Sequence, residues 1–257
     1  MKSERLFDVM NELEDDLILD AKTPRHRARW QKAIAACLAL ALIAGGGRVL
    51  LGKDSADNFP SAREQFASRA EKSTGVSIRT EKNLPSVLNA CSLTDLSEAE
   101  ILNDWDTVIV EGTVTRIEHL RLDFGGKNGT EYRSLVWVEV EQVLRGDVRP
   151  GETIGILSPT VGQAEVWVED TETVSQIYEG THGIFMPYRY QSTDFWSQGQ
   201  STLYLKELAD YGFPDGVRWA FLETEEGLCF SRMAFPSLAR AKTLEELSSL
   251  LRAMLES

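Results

Sequence analysis

Histidine and cysteine are scarce in this chain, three of each in 257 residues. His26, His119 and His182 stand far apart, as do Cys37, Cys91 and Cys229. No H-x-x-x-H or C-x-x-C spacing occurs, so there is no local metal-binding set. The glycines form no P-loop and no G-x-G-x-x-G turn for phosphates, and no G-x-S-x-G turn presents a serine nucleophile. The sequence therefore assigns no catalytic, cofactor-binding or metal-ligating residue and implies no cofactor. Positive charge is short in one part only. Residues 1–32 hold seven Lys and Arg against seven acids, which leaves 20 bases against 33 acids beyond them and puts the whole net charge of −13 there. That field disfavours nucleic acid and anionic lipid as partners of the larger part.

Long apolar runs are as rare, and the single one organises the chain. Residues 33–51, AIAACLALALIAGGGRVLL, are interrupted only by Arg48. A helix of that length rises about 28 Å at ~1.5 Å per residue, close to the hydrocarbon thickness of a bilayer, with Arg48 reaching outward. Arg25, Arg27, Arg29 and Lys32 form a basic collar before it, with Trp30 at the interfacial position. The collar places the N-terminus in the cytoplasm and the acidic part outside a cell membrane. A cleaved signal would have a short basic leader, whereas the run here follows a long tail rich in acids. A lipoprotein cysteine would follow its apolar segment, whereas most of this run follows Cys37. Within the run Ala33, Cys37, Ala41 and Gly45 repeat every fourth residue. The stripe is either a close-packing face for a homodimer or simple alanine richness.

Four regions result: a tail and collar at 1–32, a transmembrane helix at 33–51, a linker and stem at 52–83, and a β domain at 84–257. In the tail, Leu6, Val9, Met10, Leu13 and Leu17 recur at helical spacing and make a face for a cytoplasmic protein partner, or else the tail is loosely ordered. Residues 52–58 are polar, Ser61-x-x-Glu64 opens a stem helix, and 73–82 are polar and extended. Ser97-x-x-Glu100 opens a short helix ending near Asn103.

From Asp106 the apolar period becomes two. Strands are expected at 108–122, 132–144, 152–157, 164–168, 183–189, 202–205, 217–222 and 227–230. Gly112 inside the first marks a bulge or a close backbone crossing. Val136, Val138 and Val140 fall on one face of the second strand, Trp137, Glu139 and Glu141 on the other. Asn128-Gly129-Thr130 is a hairpin signal before it is a glycosylation sequon, and Arg145-Gly146-Asp147 is ordinary turn chemistry before it is an adhesion motif. Thr243-x-x-Glu246 caps a C-terminal helix with Leu244, Leu247, Leu250, Leu251, Met254 and Leu255 on one face. Cys91 and Cys229 are either a disulfide pair or two small core residues. Acids gather at Asp104/Asp106, Glu169/Asp170/Glu172 and Glu223/Glu225/Glu226, the last at a hairpin turn. Tyr188, Tyr190, Phe195 and Trp196 sit in a loop-like stretch that suits a ligand.

The segments Val108 to Val114, Trp137-Val138-Glu139-Val140-Glu141-Gln142-Val143-Leu144-Arg145-Gly146-Asp147, Gly151-Glu152-Thr153-Ile154 and Gly183 to Met186 keep a distinctive order. This order resembles bacterial exported domains akin to the OB-like barrel of netrin-like modules and metalloproteinase tissue inhibitors. The resemblance implies a mainly β, OB-like antiparallel barrel closed by the C-terminal helix. The family's disulfides and N-terminal cysteine are absent, so protease inhibition is not implied. The tail, Glu4-Arg5-Leu6-Phe7 through Asp15-Asp16 with its collar and span, is similar to uncharacterised single-pass membrane proteins of Gram-positive anaerobes, some of them anti-sigma-factor-like.

Three functions follow as expectations. The first is a membrane-anchored extracytoplasmic binding or sensing protein with an unidentified outside ligand, signalling through its tail. The second is a structural or adhesive surface module. The third is an exported enzyme, which would need His119 or His182 beside a carboxylate in a concave site.

Overall fold

A computed structural model describes residues 73–82, 84, 93–126, 129–162 and 172–256. The chain divides into two compact units, Met1–Asn58 and Phe59–Ser257, and every described residue belongs to the second. The tail face, the collar, the apolar run and its stripe, the stem helix, Cys91, Asn128, the strand expected at 164–168, Glu169 and Asp170 all lie outside the described residues. Among the described residues no helix is long and apolar enough to cross a membrane.

The described part is mainly β, a curled half-barrel with a C-terminal helix. Its strands are β1 (Ser77–Glu81), β2 (Ile109–Asp123), β3 (Thr130–Arg145), β4 (Thr153–Ser158), β5 (His182–Phe185), β6 (Tyr188–Arg189), β7 (Phe195–Gln198), β8 (Ser201–Tyr204), β9 (Tyr211–Gly212), β10 (Ala220–Thr224) and β11 (Gly227–Cys229). The large sheet runs β11-β10-β5-β2-β3-β4-β9-β6, with β1 also on β2, while β7 and β8 form a separate hairpin. Beyond β6 the ladder returns to the chain just before β2: Arg189 N–H donates to Asp106 O at 2.8 Å and Val108 N–H to Pro187 O at 3.2 Å.

The hairpin of β2 and β3 is the backbone of the fold. Its two faces serve two cores. Val110, Val114, Val136, Val138 and Val140 enter the larger core, whereas Leu120, Leu122, Leu135 and Trp137 enter a second one. The Trp137 face of β3 is thus covered along part of its length, and 134–138 are buried on both faces. A continuous apolar stretch is what such double burial requires. Gly112 sits at a register shift in β2, where a Cβ would stand 2.2 Å from Glu139 O. Only glycine fits that crossing.

The helix α1 (Glu98–Asn103) has the expected capping box: Ser97 N–H donates to Glu100 Oε2 at 2.7 Å and Glu100 N–H to Ser97 Oγ at 3.3 Å. The helix α2 (Leu244–Leu255) starts at Thr243, whose hydroxyl accepts from Glu246 N–H at 3.2 Å. It packs on β3, β5 and β10, burying Leu244, Leu247 and Leu251, and leaves Leu250 exposed.

Two expected strands are altered, and the stretch expected to be extended before residue 83 joins the sheet. The strand expected at 183–189 is two strands, because Met186 N–H turns to Trp219 O at 2.8 Å and Pro187 has no N–H to donate. Residues 217–219 do not join β10, because Asp215 Oδ1 takes the N–H groups of Val217 and Arg218 at 2.9 and 3.0 Å. The polar stretch before residue 83 includes β1, which adds to the sheet while Val76 and Ile78 pack on the second core. Cys229 is a half-buried thiol packed against the larger core and free among the described residues, while Cys91 lies outside them.

Candidate functional site

Two strands pair with the same edge of β2 and leave a gap between them. β5 covers Val110 to Thr113, and β1 covers His119 to Asp123. The turn at 178–181 fills part of the gap: Val114 N–H donates to Thr181 O at 2.9 Å and Gly180 N–H to Val114 O at 2.8 Å. The Glu179 carboxylate then stands where a strand carbonyl would be, accepting Ile117 N–H at 3.2 Å. A cavity of about 430 Å³ opens beside this turn, between the end of β1, the middle of β2 and the segment after β4. Ile117, Val161 and Ile177 give it apolar walls, and Tyr178 closes one side. Gly162 has φ +67° and passes so near the Tyr178 ring that a Cβ would lie 3.4 Å from its Cε1. Glycine is favoured there by the backbone angle.

A polar row crosses the sheet at this cavity. Register pairs Glu81 with His119, His119 with Ser134, and Ser134 with Ser158. Directly paired residues present their side chains on one face, with Cβ atoms about 4.5–5.5 Å apart in such a ladder. The row lies just past the apolar row of Ile117, Val136 and Ile156, at the end of the larger core. His119 Nδ1 and Ser134 Oγ are 2.9 Å apart, and Ser134 Oγ also accepts Val161 N–H at 3.2 Å. The buried serine has one hydrogen, and of these two neighbours only Nδ1 can accept it. Donation from Ser134 to Nδ1 would leave the proton of the neutral imidazole on Nε2. Burial lowers the His119 pKa, which favours that neutral form. Ser158 Oγ is buried and has no hydrogen-bond partner.

The carboxylates at the cavity are not equivalent. Glu118 accepts from Trp137 Nε1 at 3.2 Å and pairs with Arg116 at 3.2 Å. Glu179 has one oxygen committed to Ile117, and Lys82 beside them is exposed.

The second histidine that sequence spacing left isolated also acquires acidic neighbours. On the outer face of four strands, His182 Nδ1 lies 2.9 Å from Glu223 Oε2, and Nε2 lies 3.5 Å from Glu141 Oε2 and 3.9 Å from Glu111 Oε1. Thr113 Oγ1 donates to Glu141 at 2.6 Å. This group is an ion-pair clamp across the sheet when the imidazole is protonated. Among the described residues no set of His, Cys, Asp and Glu is arranged to hold a metal ion. The alternation that puts Glu111 and Thr113 on one face was legible, but the pairing of β2 with β5 and of β5 with β10 was not.

The four aromatic residues expected at a ligand loop are placed as follows. Tyr188 is half-buried, edge-on to Trp105 at 5.8 Å and to Tyr190 at 6.0 Å. Tyr190 is buried in the second core, which raises its phenol pKa. Trp196 stacks on Phe124 at 5.2 Å under the Arg133 guanidinium, 4.5 Å from the ring centre. Phe195 is 57% exposed. Tyr188 lies on β6 with Tyr190 just past its end, and the second pair lies on β7, which the sequence reads as loop. In the turn at 145–147, Arg145 donates to Leu102 O and Thr107, and Asp147 pairs with Arg189, so both charges have internal partners. The acids at Glu223, Glu225 and Glu226 form the expected hairpin turn, where Thr224 pairs with Gly227.

Comparison with known proteins finds no matching family, no matching curated protein and no matching solved structure.

Proposed function

We propose that this chain is a single-pass, membrane-anchored extracytoplasmic binding protein that takes a small molecule in the cavity beside His119. The observation that carries the binding half is the 430 Å³ cavity at the sheet gap, which falls in the size range of ligand pockets and combines apolar walls with a few placed polar groups. The anchor half rests on the apolar run at 33–51 and the basic collar before it. In this reading the barrel is OB-like. Its support is the strand order together with the hydrogen bonds that return β6 to the start of β2. The tail face of Leu6, Val9, Met10, Leu13 and Leu17 is the surface for a cytoplasmic partner, and the span carries the signal by self-association or by freeing the tail.

The test is in two parts. Protease added outside intact cells removes the β domain and spares an epitope at Met1; protection of both would overturn the orientation. Methyl-labelled full chain, exposed to fractionated cell extract, shows shifts confined to Ile117, Val161 and Ile177; a set of fractions that moves none of them would overturn the binding site.

A second reading, an exported enzyme, is favoured by one observation. The cavity holds an imidazole whose cross-strand neighbour is the Glu81 carboxylate. Turnover of a cavity ligand, lost in His119→Gln with binding retained, would select it.

A further inference from the structure

The lining of the cavity says more than its volume, and the next step rests on the binding reading above. We infer that the ligand is a small protonated amine carrying a short apolar body and a neutral oxygen acceptor.

The charge balance of the walls is the first reason. Among the described residues Glu81 has no ion pair and no hydrogen bond, yet it is half-buried beside His119 at the cavity rim. Glu179, an exposed residue of the neighbouring turn, brings a second carboxylate, with Oε1 accepting Ile117 N–H. The cations at hand do not neutralise these two acids. Arg116 is committed to Glu118, Lys82 is an exposed residue of the rim and the one lysine or arginine among the lining residues, and burial lowers the His119 pKa. With Glu81 half-buried and Glu179 exposed, the rim holds more carboxylate than cation, so a cationic guest gains more here than a neutral one.

The histidine sets the second requirement. In the tautomer in which Ser134 donates to Nδ1, Nε2–H is left as a donor. A donor beside two carboxylates suits a ligand oxygen that is itself uncharged, a hydroxyl or a carbonyl. The same lining disfavours carboxylate and phosphate ligands, which would meet Glu81, Glu118 and Glu179 against the single exposed Lys82. The remaining wall, Ile117, Val161, Ile177 and the Tyr178 ring, fits a short hydrocarbon or aromatic body, and the ring face of Tyr178 also favours a nearby ammonium.

Three probes of one shape test this on the full chain. Phenylethanolamine, phenylethanediol and mandelate share a ring and a hydroxyl and differ in carrying an ammonium, a neutral hydroxyl or a carboxylate. Titration calorimetry should show the amine binding more tightly than the diol by about three- to fivefold, the upper end for a partly exposed ion pair, and mandelate not binding. Glu81→Gln, and independently Glu179→Gln, should bring amine and diol to within about twofold of each other, with diol affinity unchanged. If diol and mandelate shift the Ile117, Val161 and Ile177 methyls as readily as the amine, the site binds ligands but the amine assignment is overturned. If none of the three shifts those methyls, the binding reading and the assignment fall together.

Discussion

Removal of the Asp215 carboxylate should be among the most damaging single changes in the β domain. Asp215 is 8% exposed and gathers five donors. Oδ1 accepts Val217 N–H at 2.9 Å and Arg218 N–H at 3.0 Å. Oδ2 accepts Arg218 Nε at 2.9 Å, its terminal nitrogen at 2.8 Å and Trp219 Nε1 at 2.7 Å. Arg218 is itself 9% exposed and otherwise donates to Thr94 O at 2.7 Å. The loop is further tied to the chain near residue 173, where Thr173 Oγ1 donates to Val217 O at 2.7 Å. In Asp215→Ala a buried guanidinium loses its counter-charge and Trp219 loses its acceptor. Breaking a buried pair in this way costs about 3–5 kcal/mol, which for a domain of this size lowers Tm by roughly 6–20 °C. Pulse proteolysis of the full chain across a urea series measures it, since the cleaved fraction follows the unfolding equilibrium. Asp215→Ala combined with Arg218→Met removes both charges and should recover a good part of the loss. A single variant within about 1 kcal/mol of the parent, or a double variant no better than the single, would refute the reasoning.

Two further outcomes are expected. Gly112→Ala should destabilise by about 1–3 kcal/mol, because the new methyl lands 2.2 Å from Glu139 O and strand β2 or β3 must shift; urea midpoints for the two proteins check it. The His119 imidazole is held neutral by burial, so its folded pKa lies below the unfolded value of about 6.5. Below that pH the unfolded chain binds more protons, so this contribution is complete above about pH 6.5 and is lost as pH falls through the folded pKa. An NMR titration of the His119 ring should give a midpoint below about 6.5, and His119→Gln should flatten that part of the stability profile; a midpoint above it would contradict the burial argument.

Much of the fold was legible because its signals are local. Ser97-x-x-Glu100 and Thr243-x-x-Glu246 announce helix starts through hydrogen bonds three residues apart. The valines of β3 alternate because one face meets the larger core, and Gly112 stood out because a strand interior seldom favours glycine. The chain itself also fixed its charge split, its lone apolar run and the basic cluster before it. These depend on composition and short spacing, which tertiary contacts do not alter.

The site was not legible in the same way. Glu81, His119, Ser134 and Ser158 are spread over more than seventy residues and become one row only when four strands pair in register. A one-residue slip in any pairing would turn those side chains to the other face. The gap on β2 exists because β5 and β1 stop short of one another, and the Glu179 carboxylate enters it from a turn that no periodicity marks. The Asp215 knot likewise overrides a run that reads as strand, since a side-chain oxygen claims the backbone donors first. Local chemistry therefore decided where most strands and helices form and where the apolar run falls, whereas strand pairing alone decided which polar side chains meet at a cavity.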